Sequence, residues 1–144
     1  MKRINVSARG GFTLLEIMLV VVIIGFLVGI VAVNIPKILG GQRKEAAKTQ
    51  ISAYSTALGI YDMRTGSYPT TEQGLQALLV KPSTPPSSER WDGPYLQPPI
   101  LRKDPWEHDY YYRYPGVKNP SGYDLYSAGP NGVEGDEDDI GNWQ

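Results

Sequence analysis

Two groups of residues carry enough chemistry to organise the chain. Glu134, Asp136, Glu137, Asp138 and Asp139 put five acids into six positions with no base among them. The plainest reading of such a run is a solvated tail. Glycines at 129, 132 and 135 nevertheless permit a tight loop in which carbonyl and carboxylate oxygens converge, and Ile140 and Trp143 can anchor it to a core. The chain has no Cys and His108 is its one His, so the donors are oxygens, which suit a hard cation. A flexible mixture of carbonyl and carboxylate favours Ca²⁺ over Mg²⁺, although the spacing is not that of an EF-hand. The second group is a single side chain, Glu16, next to a run in which every residue from Ile17 to Val33 is apolar or Gly. An ionisable group in a membrane segment is expensive and survives where something compensates it.

Other constellations are weaker. No G-x-S-x-G, phosphate loop or zinc spacing is present, and a Ser-His-Asp site would have to be built on His108 alone. Trp91, Trp106, Tyr110, Tyr111 and Tyr112 could form a sugar or single-strand nucleic-acid platform. They fall among strand and turn signals without a concentration of bases, so packing is the expectation. Neither an enzyme nor a nucleic-acid partner is expected.

The elements that position these residues follow from patterning. As a helix, residues 12–35 would span roughly 36 Å, enough for a bilayer core of about 30 Å. A removable secretory signal is the rival, but such signals have shorter apolar regions and a small-x-small site, and VGIVAVNIP offers no convincing one. Net charge is −1, yet the first eleven residues carry Lys2, Arg3 and Arg9 without an acid, leaving 11 bases against 15 acids in the rest of the chain. A basic start marks the cytoplasmic side, which puts the remainder across the membrane. Roughly a hundred residues remain for a globular part, and without Cys a metal is one substitute for a disulfide.

Pro36 predicts a kink or local melting, and Ile51, Tyr54, Leu58 and Tyr61 then form an amphipathic stripe. The expectation is one long, bent helix from about Phe12 to about Met63, ended by Gly66. Thr70 and Gln73 have capping-box spacing ahead of a short helix that buries Leu75, Leu78 and Leu79 before Pro82 closes it. Residues 81–99, rich in Pro and Ser, predict an irregular loop pinned by Trp91, Tyr95 and Leu96. Residues 110–114 and 123–126 predict two antiparallel strands.

The opening Gly10-Gly11-Phe12-Thr13-Leu14-Leu15-Glu16 resembles the class III signal of type IV pilins and pseudopilins. The resemblance implies that a prepilin peptidase cuts between Gly11 and Phe12 and methylates the new N-terminus, with Glu16 at the fifth position of the mature chain. Cleavage would create an α-amine at Phe12, and the carboxylate of Glu16 could neutralise that amine, within the helix or, by the family's usual account, on a neighbouring subunit. GSYPTTEQGLQALL, WDGPYL, KDPW, GYDLYSAGPNG and DDIGNW narrow the resemblance to the major pseudopilins of type II secretion systems. That family implies an α+β, type IV pilin-like fold: a long N-terminal helix, transmembrane in its first half, packed on a small C-terminal antiparallel sheet with a calcium-binding loop.

Residues 1–11 would be the leader, 12–35 the membrane or filament-core half of the helix, and 36–144 the periplasmic part. One structural Ca²⁺ is implied, held by the carbonyls of Ala128 and Val133 and the side chains of Asn131, Asp138 and Asp139. The family commonly has Asp where this chain has Asn131, which lowers the charge count and leaves Asp136 as a possible helper. It also more often has Gly and a small polar residue near Glu107-His108-Asp109, so the local turn is expected to differ. The implied partners are further copies in a periplasmic pseudopilus, minor pseudopilins, an inner-membrane assembly platform driven by a cytoplasmic ATPase, the peptidase and inner-membrane lipid. A type IV pilin for adhesion, motility or DNA uptake is the alternative, although it would more often carry a C-terminal Cys pair. A solitary anchored periplasmic binding protein would not need Gly11, Phe12 or Glu16.

Overall fold

The start of the long N-terminal helix is written in its first residues. Thr13 stands just before it, its hydroxyl accepting from the backbone N–H of Glu16 at 3.2 Å and its carbonyl from Glu16 and Ile17 at 3.1 and 3.2 Å. A Thr three residues ahead of a Glu is a capping-box arrangement, and an acid in the first turn also complements the helix dipole. The computed structural model describes residues 11–86 and 89–144, and of residues 32–39 the backbone alone. Most of the expected leader, residues 1–10, therefore lies outside the described residues. α1 runs over Leu14–Thr65, 52 residues, and the helical backbone continues through Pro36 without melting. It ends where Gly66 adopts φ 91° and donates to the carbonyl of Asp62 at 2.7 Å. A left-handed φ is the natural place for glycine after a helix.

The chain divides into two compact units, Met1–Leu39 and Gly40–Gln144. In the first, the apolar side chains of residues 12–31 are all exposed, and Leu14–Val31 has a mean hydropathy of 3.0, long and apolar enough to cross a membrane. In the second, the predicted stripe is the core. Ile51, Tyr54, Leu58 and Tyr61 are at most 5% exposed and cluster with Leu75, Leu78, Leu96, Leu125 and Ile140. The Tyr54 hydroxyl accepts from the N–H of Arg102 at 2.7 Å and donates to its carbonyl at 3.1 Å, tying the helix to the distant loop.

The capping box forms reciprocally: Thr70 N–H donates to Gln73 Oε1 at 3.0 Å and Gln73 N–H to Thr70 Oγ1 at 3.2 Å. It caps a turn over residues 71–74. Beyond it stands one 3-10 turn, Leu75–Leu78, which buries Leu75 and Leu78 while Leu79, just past its end, is partly buried. The irregular loop after it is pinned as expected. Trp91 Nε1 donates to Ala77 O at 2.9 Å, Tyr95 N–H donates to Leu78 O at 2.8 Å, and Leu96 is buried.

Among the described residues, three short strands form one antiparallel sheet: β1 Tyr111–Arg113, β2 Asp124–Ser127 and β3 Ile140–Gly141, with β2 central. Tyr111 pairs with Tyr126 and Ser127 with Ile140. The first two strands match the expectation. The third is new: Ile140, expected as an anchor, does its anchoring by joining the sheet. Past β3, Asn142 extends the pairing with its side chain, accepting from Leu125 N–H at 3.0 Å and donating to Tyr123 O at 2.9 Å.

Candidate functional site

The C-terminal loop leaves β2 at Ser127 and returns at Ile140, and buried carboxylates hold both its ends. Asp104, 3% exposed, accepts through Oδ1 from the N–H groups of Trp106 and His108 at 3.0 and 2.8 Å. Its Oδ2 accepts from the Ser127 hydroxyl at 2.5 Å, so the DPW turn is stitched to the start of the loop. Glu107, inside that turn, sits at φ 70°, a conformation that costs a side chain but not a glycine. The side chain at position 107 therefore strains the backbone of this turn. Next to it the His108 ring faces Gly132, where an added Cβ would lie 3.0 Å from the imidazole.

This geometry decides against a Ser-His-Asp catalytic site. Ser127, Asp104 and His108 do come together, but the serine hydroxyl donates to the carboxylate and is fully buried. His108 Nδ1 lies 3.8 Å from Asp104 Oδ2 and makes no hydrogen bond. A nucleophile needs its hydroxyl proton directed at the base and its oxygen open to substrate. The arrangement is a structural tie. The aromatic residues are packed as expected: Tyr110 against Tyr54 edge-on at 5.4 Å, and Tyr112 with its hydroxyl on Pro69 O at 2.8 Å. Burial raises the pKa of both tyrosines well above the ordinary phenol value.

Within the acidic stretch the loop is closed by its own polar groups. Asn131 accepts from Val133 N–H at 2.9 Å and donates through Nδ2 to Asp136 Oδ2 at 2.6 Å. Asp136 Oδ1 accepts from Asp138 N–H at 2.9 Å, and Asp139 Oδ2 from Gly135 N–H at 2.8 Å. Gly129, at φ 66°, passes so close to Asp138 that a Cβ would lie 2.5 Å from its carbonyl oxygen. Of the five residues expected to hold calcium, Ala128 and Asp139 are buried, whereas Asn131, Val133 and Asp138 lie outside the core.

Among the described residues no three of His, Cys, Asp and Glu gather around a common point. Two carboxylates with amide and carbonyl oxygens make a different kind of site. One observation fits a cation: Asp139 Oδ1 is buried without a hydrogen-bond partner. A buried carboxylate oxygen is costly unless paired or coordinated. Asp139 also lines, with Glu134, Arg113, Lys118 and Trp143, a cleft of about 210 Å³. There Tyr126 donates to Glu134 at 2.5 Å, and burial, reinforced by that carboxylate, raises the phenol's pKa.

Asp124 is not singled out by the sequence, yet it organises the neighbouring loop. It accepts three backbone N–H groups, those of Val117 at 2.6 Å, Lys118 at 2.8 Å and Asn119 at 2.8 Å. Burial alone would raise its pKa, but these donors and Arg113 outweigh it and hold the carboxyl below its ordinary range.

At the other end of the chain, Gly11 and Phe12 lie outside the helix, Phe12 is 79% exposed, and Glu16 is an exposed acid in the first turn. A leading apolar helix followed by a small antiparallel sheet defines a pilin-like protein. Residues 6–32 match the prokaryotic N-terminal methylation motif, and residues 34–143 match the family of type II secretion system protein G. The chain is 44% identical to a type II secretion system core protein G of Klebsiella michiganensis over 142 residues, covering 95% of this chain and 94% of that one. A Vibrio cholerae protein of the same description is 44% identical over 139 residues, covering 92% and 90%. The crystal structure of the major pseudopilin from the type 2 secretion system of enterohaemorrhagic Escherichia coli superimposes with a TM-score of 0.65 at 36% identity, over 72% of this chain and 85% of that one. The chain belongs to the type II secretion system protein G family.

Proposed function

We propose that this chain is the main structural subunit of a type II secretion pseudopilus, held in the inner membrane by residues 12–35 before assembly and polymerising into a periplasmic filament. The observation that carries this reading is the exposed apolar helix that begins with Glu16 in its first turn. Bilayer and filament core are both apolar, so one segment serves both. A prepilin peptidase would cut between Gly11 and Phe12, and the new α-amine would pair with Glu16 of a neighbouring copy, setting register. Minor pseudopilins and an inner-membrane platform complete the assembly, and the growing filament helps move folded proteins through an outer-membrane channel.

Ca²⁺ would be held by the carbonyls of Ala128 and Val133 and the side chains of Asn131, Asp138 and Asp139. It would supply positive charge to Asp139 Oδ1 and fix the loop against the sheet, replacing a disulfide the chain cannot make. The orphaned Asp139 oxygen and the all-oxygen donor set support this. The test is co-expression with the secretion machinery, comparing wild type with Glu16→Ala. Filaments lost while the protein remains in the membrane support the assembly reading. Unchanged filaments sink the pairing of Glu16 with the amine.

A further inference from the structure

Asn131 and Asp136 meet across the acidic loop, 2.6 Å apart. Asn131 offers what none of the five acids from 134 to 139 can offer when ionised, a side-chain donor. It uses both ends, donating to Asp136 and accepting from Val133 N–H, while Asp136 in turn receives Asp138 N–H. One amide therefore joins the two arms of the loop. An Asp at position 131 would set two carboxylates against each other, an arrangement that needs a cation between or beside them. The second, independent observation is Asp139, 8% exposed with Oδ1 unpartnered.

We propose that Asn131 is an internal latch that closes the acidic loop through Asp136 without metal, and that it thereby lowers the loop's affinity for, and dependence on, Ca²⁺. The first half stands on the hydrogen bonds alone; the second rests on the proposed calcium site. Asn131 thus sets how far the loop's order tracks the surrounding calcium concentration. With the latch, the subunit keeps the loop shaped when calcium is scarce.

The experiment uses the full chain in detergent micelles. Thermal melting is monitored by tryptophan fluorescence in EGTA and in CaCl₂, and Ca²⁺ binding by calorimetry, for wild type, Asn131→Asp, Asp139→Asn and the exchange Asn131→Asp with Asp136→Asn. In EGTA, Asn131→Asp should melt roughly 4 °C or more below wild type, and the exchange, which rebuilds the bond in reverse, should recover most of that loss. In calcium, Asn131→Asp should bind roughly tenfold more tightly and gain the larger upward shift, because a third full charge joins those of Asp138 and Asp139 among the donors. Asp139→Asn should lose the calcium response. Equal melting of wild type and Asn131→Asp in EGTA, or an exchange no better than the single variant, overturns the latch. If no protein responds to calcium, the calcium reading fails together with the affinity half, while the EGTA comparison still decides the latch. An affinity unchanged in Asn131→Asp overturns the affinity half alone.

Discussion

Asp124→Asn tests whether a single carboxylate organises the loop between β1 and β2. The native oxygens receive three backbone N–H groups at 2.6 to 2.8 Å, and Asp124 is 3% exposed. Its place is fixed by Gly116, where a Cβ would lie 2.5 Å from Oδ1. An asparagine can keep its oxygen toward Val117 and Lys118, but its amide then faces the N–H of Asn119. The lost bond to a charge costs about 1.5–3 kcal/mol, and two bonds weakened from charged to neutral add about 0.5 kcal/mol each. The sum, about 3 kcal/mol, should lower Tm by roughly 12 °C or more in the full chain in detergent at neutral pH. The pH dependence comes from the depressed carboxyl pKa. The contribution of Asp124 is complete above the ordinary carboxylate range and disappears as pH falls through its lower folded value. The gap between wild type and variant should therefore narrow in acid. A neutral-pH gap below roughly 4 °C, or one that persists unchanged in acid, would refute the reasoning.

Three further outcomes are expected. Tyr54→Phe removes a buried hydroxyl that satisfies both backbone groups of Arg102 and should cost about 2 kcal/mol, read from the denaturant midpoint. Glu107→Gly relieves φ 70° and, after the added freedom of the unfolded chain, should stabilise by up to about 1 kcal/mol; a loss of stability would show that the turn carries no side-chain strain. Gly129→Ala meets both φ 66° and the Asp138 carbonyl, so it should cost about 2 kcal/mol or more and make residues 130–139 more sensitive to protease.

Features that repeat or obey a local rule were legible in the sequence. The stripe Ile51, Tyr54, Leu58, Tyr61 is periodic, and it is the core. Thr70 and Gln73 obey a three-residue rule, and the bonds form; that rule stabilises any N–H-rich turn and does not select the helix type, and the short helix expected beyond them stands as a 3-10 turn. β3 was hidden because two residues carry no alternation and Asn142 continues the pairing with a side chain. Asp104 and Asp124 act over 23 residues and over tight local loops respectively, and nothing in composition distinguishes a buried acid from a solvated one. The nearest signal was Asp104 standing before Pro105, a turn-forming pair whose side chain commonly bonds the backbone two residues on, as it does to Trp106. The role of Asn131 was half visible, as a missing charge, and only its contact with Asp136 turns that absence into a bond.

From Phe12 to Val31 the large apolar side chains keep between 46% and 82% of their surface. Immersing all of them in water would cost tens of kcal/mol, so the subunit has no aqueous state in which to diffuse. In the assembly proposed above, growth and shrinkage would then proceed by lateral exchange with a two-dimensional reservoir, and a subunit released at the base would return to the lipid sheet it came from. The length of the filament would become a partition problem, governed by how many copies a given area of membrane can store.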